Sequence, residues 1–217
     1  MKLYVEGGGD AAALKTACRK GFSLFLEKAG LRGNMPRIVA CGSRSDAYDS
    51  FCTAIRNGET AMLLVDSEEQ VIANIQPGDK NQQQDRARWL PWQHLLQRRG
   101  DHWEKPQGVE DSQCHLMVQC MENWFLADHE TVKQFFGQGF QENQLPASTM
   151  PIETIEKEKV YRSLDNATRS CKTKNQYGKG EHSFELLGKI DPAKVQQSSP
   201  WALRFVEILR EKMATRT

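Results

Sequence analysis

The stretch TAMLLVDSE at residues 60–68 decides the fold class of this chain, because an almost wholly apolar run leads directly into two acids. A strand that is apolar on both faces is typical of a parallel sheet covered by helices. The residues before it fit that architecture: KLYVE at 2–6 and RIVAC at 37–41 predict strands, while 10–30 and 44–57 carry helical spacing. The first part of the chain therefore predicts the β-α-β-α-β order of a doubly wound α/β protein with helices on both faces of a parallel sheet.

The rest of the chain predicts one more strand and a helical tail. QCHLMVQCM at 113–121 is the fourth apolar strand, and it leads into Glu122 and a helix. Further helices and loops are expected as follows: helices at 85–98, 152–170, 183–189 and 200–214, loops at 74–85 and 172–182. We expect an α/β domain over 1–145, with an insertion at about 69–111, and a helical C-terminal extension over 146–217 packed on it.

Composition excludes several classes of protein. The chain has 217 residues with 29 basic and 28 acidic side chains, a net charge of +1, so it has no overall electrostatic footprint for nucleic acid or an acidic membrane. A nucleic-acid ligand would need basic residues gathered on one face. No stretch has the length of a transmembrane helix and no signal peptide is visible, so a cytoplasmic protein without a membrane partner is expected. The six cysteines form no CxxC pair and predict free thiols, not a zinc site.

Three of the predicted strands end in acids. In chain order, Glu6 ends the first strand with Asp10 four residues on, Asp66 and Glu68 end the third, and Glu122 ends the fourth. The carboxyl ends of parallel strands meet at one rim, where ligands of such sheets bind. Clustered carboxylates repel one another, and a hard cation such as Mg²⁺ or Mn²⁺ relieves that repulsion. The alternative for each acid is a helix cap or a solvated turn, and it applies most to Asp10 taken alone.

The glycine run at 7–9 has two interpretations. Its backbone N–H groups could cradle a phosphate, or the run could be a tight turn between strand and helix. It lacks the GK[ST] of a P-loop and the GxGxxG spacing, so nucleotide binding is the weaker interpretation.

These motifs resemble a known superfamily. VEGGGD (5–10), LLVDSE (63–68) and MENWFLAD (121–128) resemble the Toprim fold of topoisomerases, primases, recombination proteins and OLD-type nucleases. GKGEHSFELLGKIDPAKV (178–195) and SPWALRF (199–205) are similar to a bacterial family of uncharacterised Toprim-like proteins found near ATPases in defence islands. The resemblance implies a Toprim-like α/β fold over nearly the whole chain.

The resemblance also implies a set of site residues. The metal ligands would be Glu6, Asp10, Asp66, Glu68 and Glu122. Glu6 would serve catalysis as well, and Glu68 departs from the superfamily's D-x-D by one methylene. In the basic loop, Lys179 and His182 would be catalytic, with lysine binding the scissile phosphate; without the resemblance, the loop is equally a solvated basic segment.

The expected function is that of a metal-dependent nuclease, the effector subunit of an ATPase-coupled bacterial anti-phage system. Its partners would be DNA or RNA and a separate ATPase, since the chain has no ATPase motif, and a homo-oligomer is compatible with the sequence. One alternative is a non-catalytic, Toprim-shaped subunit that regulates an ATPase. Another is a phosphatase or nucleotidyl transferase acting on small molecules with the same metal chemistry.

Overall fold

The computed structural model describes residues 1–77 and 82–214. Its strands are β1 (Lys2–Gly8), β2 (Arg37–Gly42), β3 (Ala61–Asp66) and β4 (Cys114–Met117). Its α-helices are α1 (Ala12–Leu26), α2 (Arg44–Arg56), α3 (Pro91–Gln97), α4 (His129–Phe136), α5 (Lys157–Thr168), α6 (Ser183–Leu187), α7 (Pro192–Ser198) and α8 (Pro200–Ala214). Residues 78–81, part of the loop predicted at 74–85, and the last three residues of the predicted extension lie outside the described part.

The four strands form one parallel sheet in the order β2-β1-β3-β4. Alternate residues of β3 enter different cores, because successive side chains of a strand point to opposite faces. Met62 and Leu64 pack with α1 and the C-terminal helices, whereas Leu63 and Val65 pack with α2 and α3. The α/β class, the parallel sheet and the helices on both faces are thus confirmed, and this architecture is consistent with a Toprim-like α/β fold.

The C-terminal helices share the core of the sheet domain. α6 lies against α1 so closely that a Cβ on Gly21 would fall 2.5 Å from the carbonyl oxygen of Phe184. α8 packs against β4 and buries Trp201 and Phe205. One apolar cluster thus includes residues from both parts of the chain.

Several predicted boundaries were wrong for local reasons. The fourth strand ends at Met117 and not at 121. The apolar residues from Met121 onward enter the core from the helical turn Met121–Ala127. The start of that turn is held by a hydrogen bond from the N–H of Cys120 to Oδ1 of Asn123. Glu122 therefore lies on that turn and does not end a strand. The helix predicted at 85–98 begins only at Pro91, whose ring suits the first turn of a helix.

The helical tail also differs from the prediction. The helix predicted at 152–170 is α5 preceded by a short turn, Ile152–Thr154. α7 was missed, although Asp191 caps its N-terminus and Pro192 occupies its first turn, a readable start signal. None of the helices within the described ranges combines the length and apolar content needed to span a bilayer.

Candidate metal centre

Glu6, Asp66 and Glu68 meet at the carboxyl edge of the two central strands. β1 and β3 are neighbours, and the chain passes from β1 to β2 on one side and then to β3 on the other, so their ends form the switch point of the sheet. One carboxylate oxygen of each acid lies within 4.8 Å of one oxygen of the other two. A single hard cation can bridge oxygens at that spacing. The expectation that these three acids share one rim is met by the geometry.

The backbone holds the three carboxylates in place. The N–H of Asp66 donates to Oε2 of Glu6 at 2.9 Å, and Oδ1 of Asp66 accepts from the N–H of Met121 at 2.9 Å. Glu68 has a left-handed backbone, with φ of 67°, and its N–H donates to the carbonyl of Gln119 at 2.8 Å. Such a conformation is costly for a residue with a side chain and persists where the surroundings enforce it, as they often do at functional sites.

Two basic side chains neutralise the cluster. Nζ of Lys157 lies 2.5 Å from Oε1 of Glu68 and 3.8 Å from Oδ2 of Asp66. Nε of Arg44 donates to the backbone carbonyl of Asp66 at 3.0 Å and lies 3.5 Å from Oε2 of Glu6. Three carboxylates thus face two cations, which leaves the cluster with excess negative charge.

Two of these acids have raised pKa values, chiefly because they are buried. Burial raises the pKa of Glu6 to about 7, although the Asp66 N–H and Arg44 oppose the shift. Burial also raises the pKa of Asp66 well above its ordinary value, and repulsion from Glu6 and Glu122 adds to the shift. Both carboxylates therefore gain from a bound cation, which would stabilise their ionised forms.

Glu122 lies beside the cluster and is held by hydroxyl groups. Its Oε2 accepts from Tyr161 at 3.0 Å, and its Oε1 accepts from Tyr177 at 3.1 Å and Ser183 at 3.2 Å. Burial raises the pKa of both phenols, and the nearby Glu122 carboxylate adds to the shift, so both remain donors. Among the described residues, the acids close enough to share one ion are Glu6, Asp66 and Glu68, and Glu122 is outside that group.

Asp10 is also outside that group. It is exposed and follows the glycine run, four residues beyond Glu6. Its assignment as a ligand stays a prediction.

A cavity of about 250 Å³ opens beside the carboxylates, and we call it the rim cavity. It is lined by Glu6, Gly7, Gly8, Gly9, Leu14, Gly42, Asp66, Met117, Met121, Glu122, Lys179, Gly180, Ser183 and Phe184. The basic loop therefore reaches the rim through Lys179 and Gly180, as expected. Nζ of Lys179 also lies 5.1 Å from the centre of the Tyr161 ring, a cation–π contact.

His182 has a different position from Lys179. It is buried, its Nδ1 accepts from the N–H of Gly178 at 3.0 Å, and its ring packs 5.3 Å from that of Phe136. Within the described chain it is not among the residues that line the rim cavity. These contacts to Gly178 and Phe136 stabilise the turn that carries Lys179.

The strand predicted at 2–6 continues through Gly8, because Gly7 and Gly8 still pair with Gly42 of β2 across a shift in register, and Gly9 then leads toward α1. Gly8 has φ of +93°, and a Cβ there would fall 2.8 Å from Cα of Lys15. The backbone of the run thus needs glycine for conformation and for close approach. Binding of a phosphate by the same backbone stays a prediction.

Sequence reasoning missed the basic partners of the acids. Arg44 lies two residues beyond the end of β2, at the start of α2, so the strand-end rule that found the acids could have included it. Lys157 begins α5 and lies 89 residues from Glu68 along the chain, and no local pattern marks it. The tryptophans Trp89, Trp92 and Trp124 are buried and belong to the core.

The chain matches a known protein family over most of its length. A family model described as a domain of unknown function, DUF4276, matches residues 5–210. The chain belongs to the DUF4276 family. The match includes the three carboxylates, Lys157 and Lys179. No curated protein and no solved structure matches the chain. The family description assigns no activity.

Proposed function

We propose that this protein hydrolyses phosphodiester bonds of nucleic acid with the help of Mg²⁺ or Mn²⁺. The observation that carries the proposal is the meeting of Glu6, Asp66 and Glu68 at the switch point of the sheet, with oxygens within 4.8 Å of one another. The donor set fits the ions, because carboxylate oxygens suit hard divalent cations and no cysteine or histidine belongs to the group. The raised pKa of Asp66 supports the same conclusion.

The residues around the cluster support phosphoryl chemistry. In hydrolysis, a water oxygen bonds to phosphorus, the bond from phosphorus to the leaving ester oxygen breaks, and that oxygen takes up a proton. An ion held by the three acids would polarise the phosphate and lower the pKa of the water. Lys179 is exposed at the rim cavity, where its ammonium can contact phosphate oxygens. Arg44 and the Asp66 N–H fix Glu6 in place.

The resemblance to Toprim proteins supports a proposal about the biological role of the protein. That resemblance rests on Glu6 near the end of β1 and on Asp66 and Glu68 at and just beyond the end of β3. On that basis we propose a cytoplasmic effector of a bacterial anti-phage system, acting with a separate ATPase on DNA or RNA. The near-zero net charge agrees with a chain that depends on a partner for nucleic-acid affinity.

A second function is favoured by one contact. The ammonium of Lys157 pairs with both Asp66 and Glu68, so the chain supplies its own cation at the cluster. A cluster neutralised in this way could be structural, and the protein would then be a non-catalytic subunit of an ATPase complex.

The substitution Asp66→Asn separates the two functions. It is nearly isosteric and removes one charge from a crowded cluster, so metal-dependent cleavage should be lost while the metal-free melting temperature stays equal or rises. The assay uses Mn²⁺ and Mg²⁺ with DNA and RNA, with and without the neighbouring ATPase. Asp128→Asn is the matched control, because Asp128 is a buried acid that pairs with Lys194 and caps α4 away from the rim. That control should lose stability and keep activity.

Either of two results would decide against cleavage at this site. If Asp66→Asn cleaves as fast as the wild type, the three acids are not the centre. If the wild type is inactive on every substrate and metal leaves its melting curve unchanged, the non-catalytic subunit is the better account.

A further inference from the structure

The rim cavity has two kinds of lining. One kind is charged and comes from Glu6, Asp66, Glu122 and Lys179. The other is apolar and comes from separate parts of the fold: Leu14 of α1, Met117 of β4, Met121 of the following turn and Phe184 of α6. Ligand sites commonly combine an apolar wall with a few charged groups that fix orientation. A phosphodiester with an attached sugar and base has this same division of polarity.

The size of the cavity limits what can enter it. At about 250 Å³ it is smaller than the roughly 300–1,000 Å³ of sites that enclose drug-sized ligands. The turn that carries Lys179 bounds it, since a Cβ on Gly180 would lie 3.6 Å from Cδ2 of Leu14. A base pair stacked within a duplex cannot enter such a space, because a nucleotide reaches an enclosed pocket only from a strand end or after leaving the stack.

We infer that the rim cavity binds one nucleotide unit of the substrate, with its phosphate beside Lys179 and the cation that the carboxylates would hold, and its sugar or base on Leu14, Met117, Met121 and Phe184. This inference rests on the proposed phosphodiesterase function and specifies its substrate class. The substrates are phosphodiesters of unpaired nucleotides, supplied either by a single strand or by a small nucleotide ester. Cleavage within a base-paired duplex is disfavoured.

The test variant fills the cavity without touching the acids. Leu14 is half-buried at the cavity wall, so Leu14→Trp adds an aromatic ring there with little cost to the core. Leu24→Trp is the matched control, because Leu24 lies on the same helix, is 40% exposed and lies away from the rim cavity. Circular dichroism and melting curves establish that both variants fold.

The experiment measures both cleavage and binding. With Mn²⁺, initial rates are compared on the p-nitrophenyl ester of thymidine 5′-monophosphate, on a single strand and on a covalently closed, relaxed double-stranded circle. Binding of Mn²⁺, and of thymidine 5′-monophosphate in its presence, is measured by calorimetry. The ester and the single strand distinguish the small-molecule source of the nucleotide from the nucleic acid.

The inference predicts cleavage of the unpaired substrates at least about tenfold faster than the duplex circle, because unstacking a paired nucleotide costs free energy. Leu14→Trp should lower kcat/KM and nucleotide affinity by a similar factor and keep its Mn²⁺ affinity, whereas Leu24→Trp should keep all three. Equal rates on duplex circle and single strand, or unchanged nucleotide affinity in Leu14→Trp, would overturn the inference. If no substrate is cleaved, the binding data decide. Nucleotide binding that is lost in Leu14→Trp would support the nucleotide pocket and contradict the hydrolase activity. Absence of nucleotide binding to the wild type would contradict the pocket itself.

Discussion

The ammonium nitrogen of Lys157 lies 3.8 Å from Oδ2 of Asp66, although 91 positions separate the two residues in the sequence. The same nitrogen pairs with Glu68. Burial lowers the pKa of Lys157, but attraction to the two carboxylates outweighs that effect and the net shift is upward. Lys157 therefore stays charged and acts as an internal counter-ion in the metal-free protein.

Removal of this counter-ion should affect stability and metal binding in opposite directions. Lys157→Met leaves Asp66 and Glu68 without their cation, so the free energy of unfolding without metal should fall by about 1–2 kcal/mol. Since no ammonium then competes for the carboxylates, added Mn²⁺ should raise the melting temperature of the variant by more than that of the wild type. Differential scanning calorimetry with and without Mn²⁺ measures both effects.

Lys194→Met is the matched control for that experiment. Lys194 pairs with the buried Asp128, so its loss should also cost stability. Its response to Mn²⁺ should equal that of the wild type, because Asp128 is not part of the acidic cluster. A Lys157→Met variant whose response to Mn²⁺ is no larger than this control contradicts competition between the ammonium and the metal.

Glu153 predicts a pH dependence that is independent of the rim. Burial raises the pKa of its carboxyl to about 7, although it accepts hydrogen bonds from Ser199 and from the N–H of Trp201 at the start of α8. Because the folded state then holds the proton more tightly than the unfolded state, this group stabilises the fold below its unfolded pKa of about 4.5. That contribution is lost as the pH rises through about 7.

The substitution Glu153→Gln isolates this effect. The variant should match the wild type most closely near pH 4, and its free energy of unfolding relative to the wild type should increase as the pH rises toward about 7. Urea titrations across this range give the difference directly. A relative stability that is constant with pH, or that falls as the pH rises, is incompatible with a raised pKa at Glu153.

The glycine run at 7–9, beside the rim cavity, gives a prediction about stability. At Gly8 a Cβ would meet the backbone of Lys15 at 2.8 Å, and φ is +93°, so Gly8→Ala should lower the free energy of unfolding by about 2 kcal/mol or more. Gly9→Ala is the control, since φ is +49° and its Cβ would meet nothing within 4 Å. The control should lose about 1 kcal/mol. Equal losses in chemical denaturation would show that the close approach to α1 is not what requires glycine at position 8.

The sequence predicted the central acids because a local rule was enough to find them. Glu6 lies near the end of β1 and Asp66 ends β3, and parallel strands that are neighbours place their ends together. The same rule failed at Glu122. Val118 and Met121 are both buried, and apolar residues at these positions do not distinguish a longer strand from a loop that leads into the helical turn Met121–Ala127.

The partners of the acids could not be predicted in this way. Lys157, Tyr161 and Tyr177 reach the site from segments far along the chain, through the packing of the C-terminal helices on the sheet. Their sequence neighbourhoods are those of an ordinary polar helix and loop. Only the tertiary arrangement shows that a lysine neutralises the cluster and that phenols hold Glu122.

The most direct test of the central claim is the anomalous scattering of crystals soaked in Mn²⁺. The account predicts a peak between Glu6, Asp66 and Glu68, at about 2.1–2.2 Å from at least two of their oxygens, with the ammonium of Lys157 displaced from Asp66. Asp66→Asn crystals soaked in the same way should show no peak. A wild-type map without density at this position, in which Lys157 still bridges Asp66 and Glu68, would contradict the metal centre.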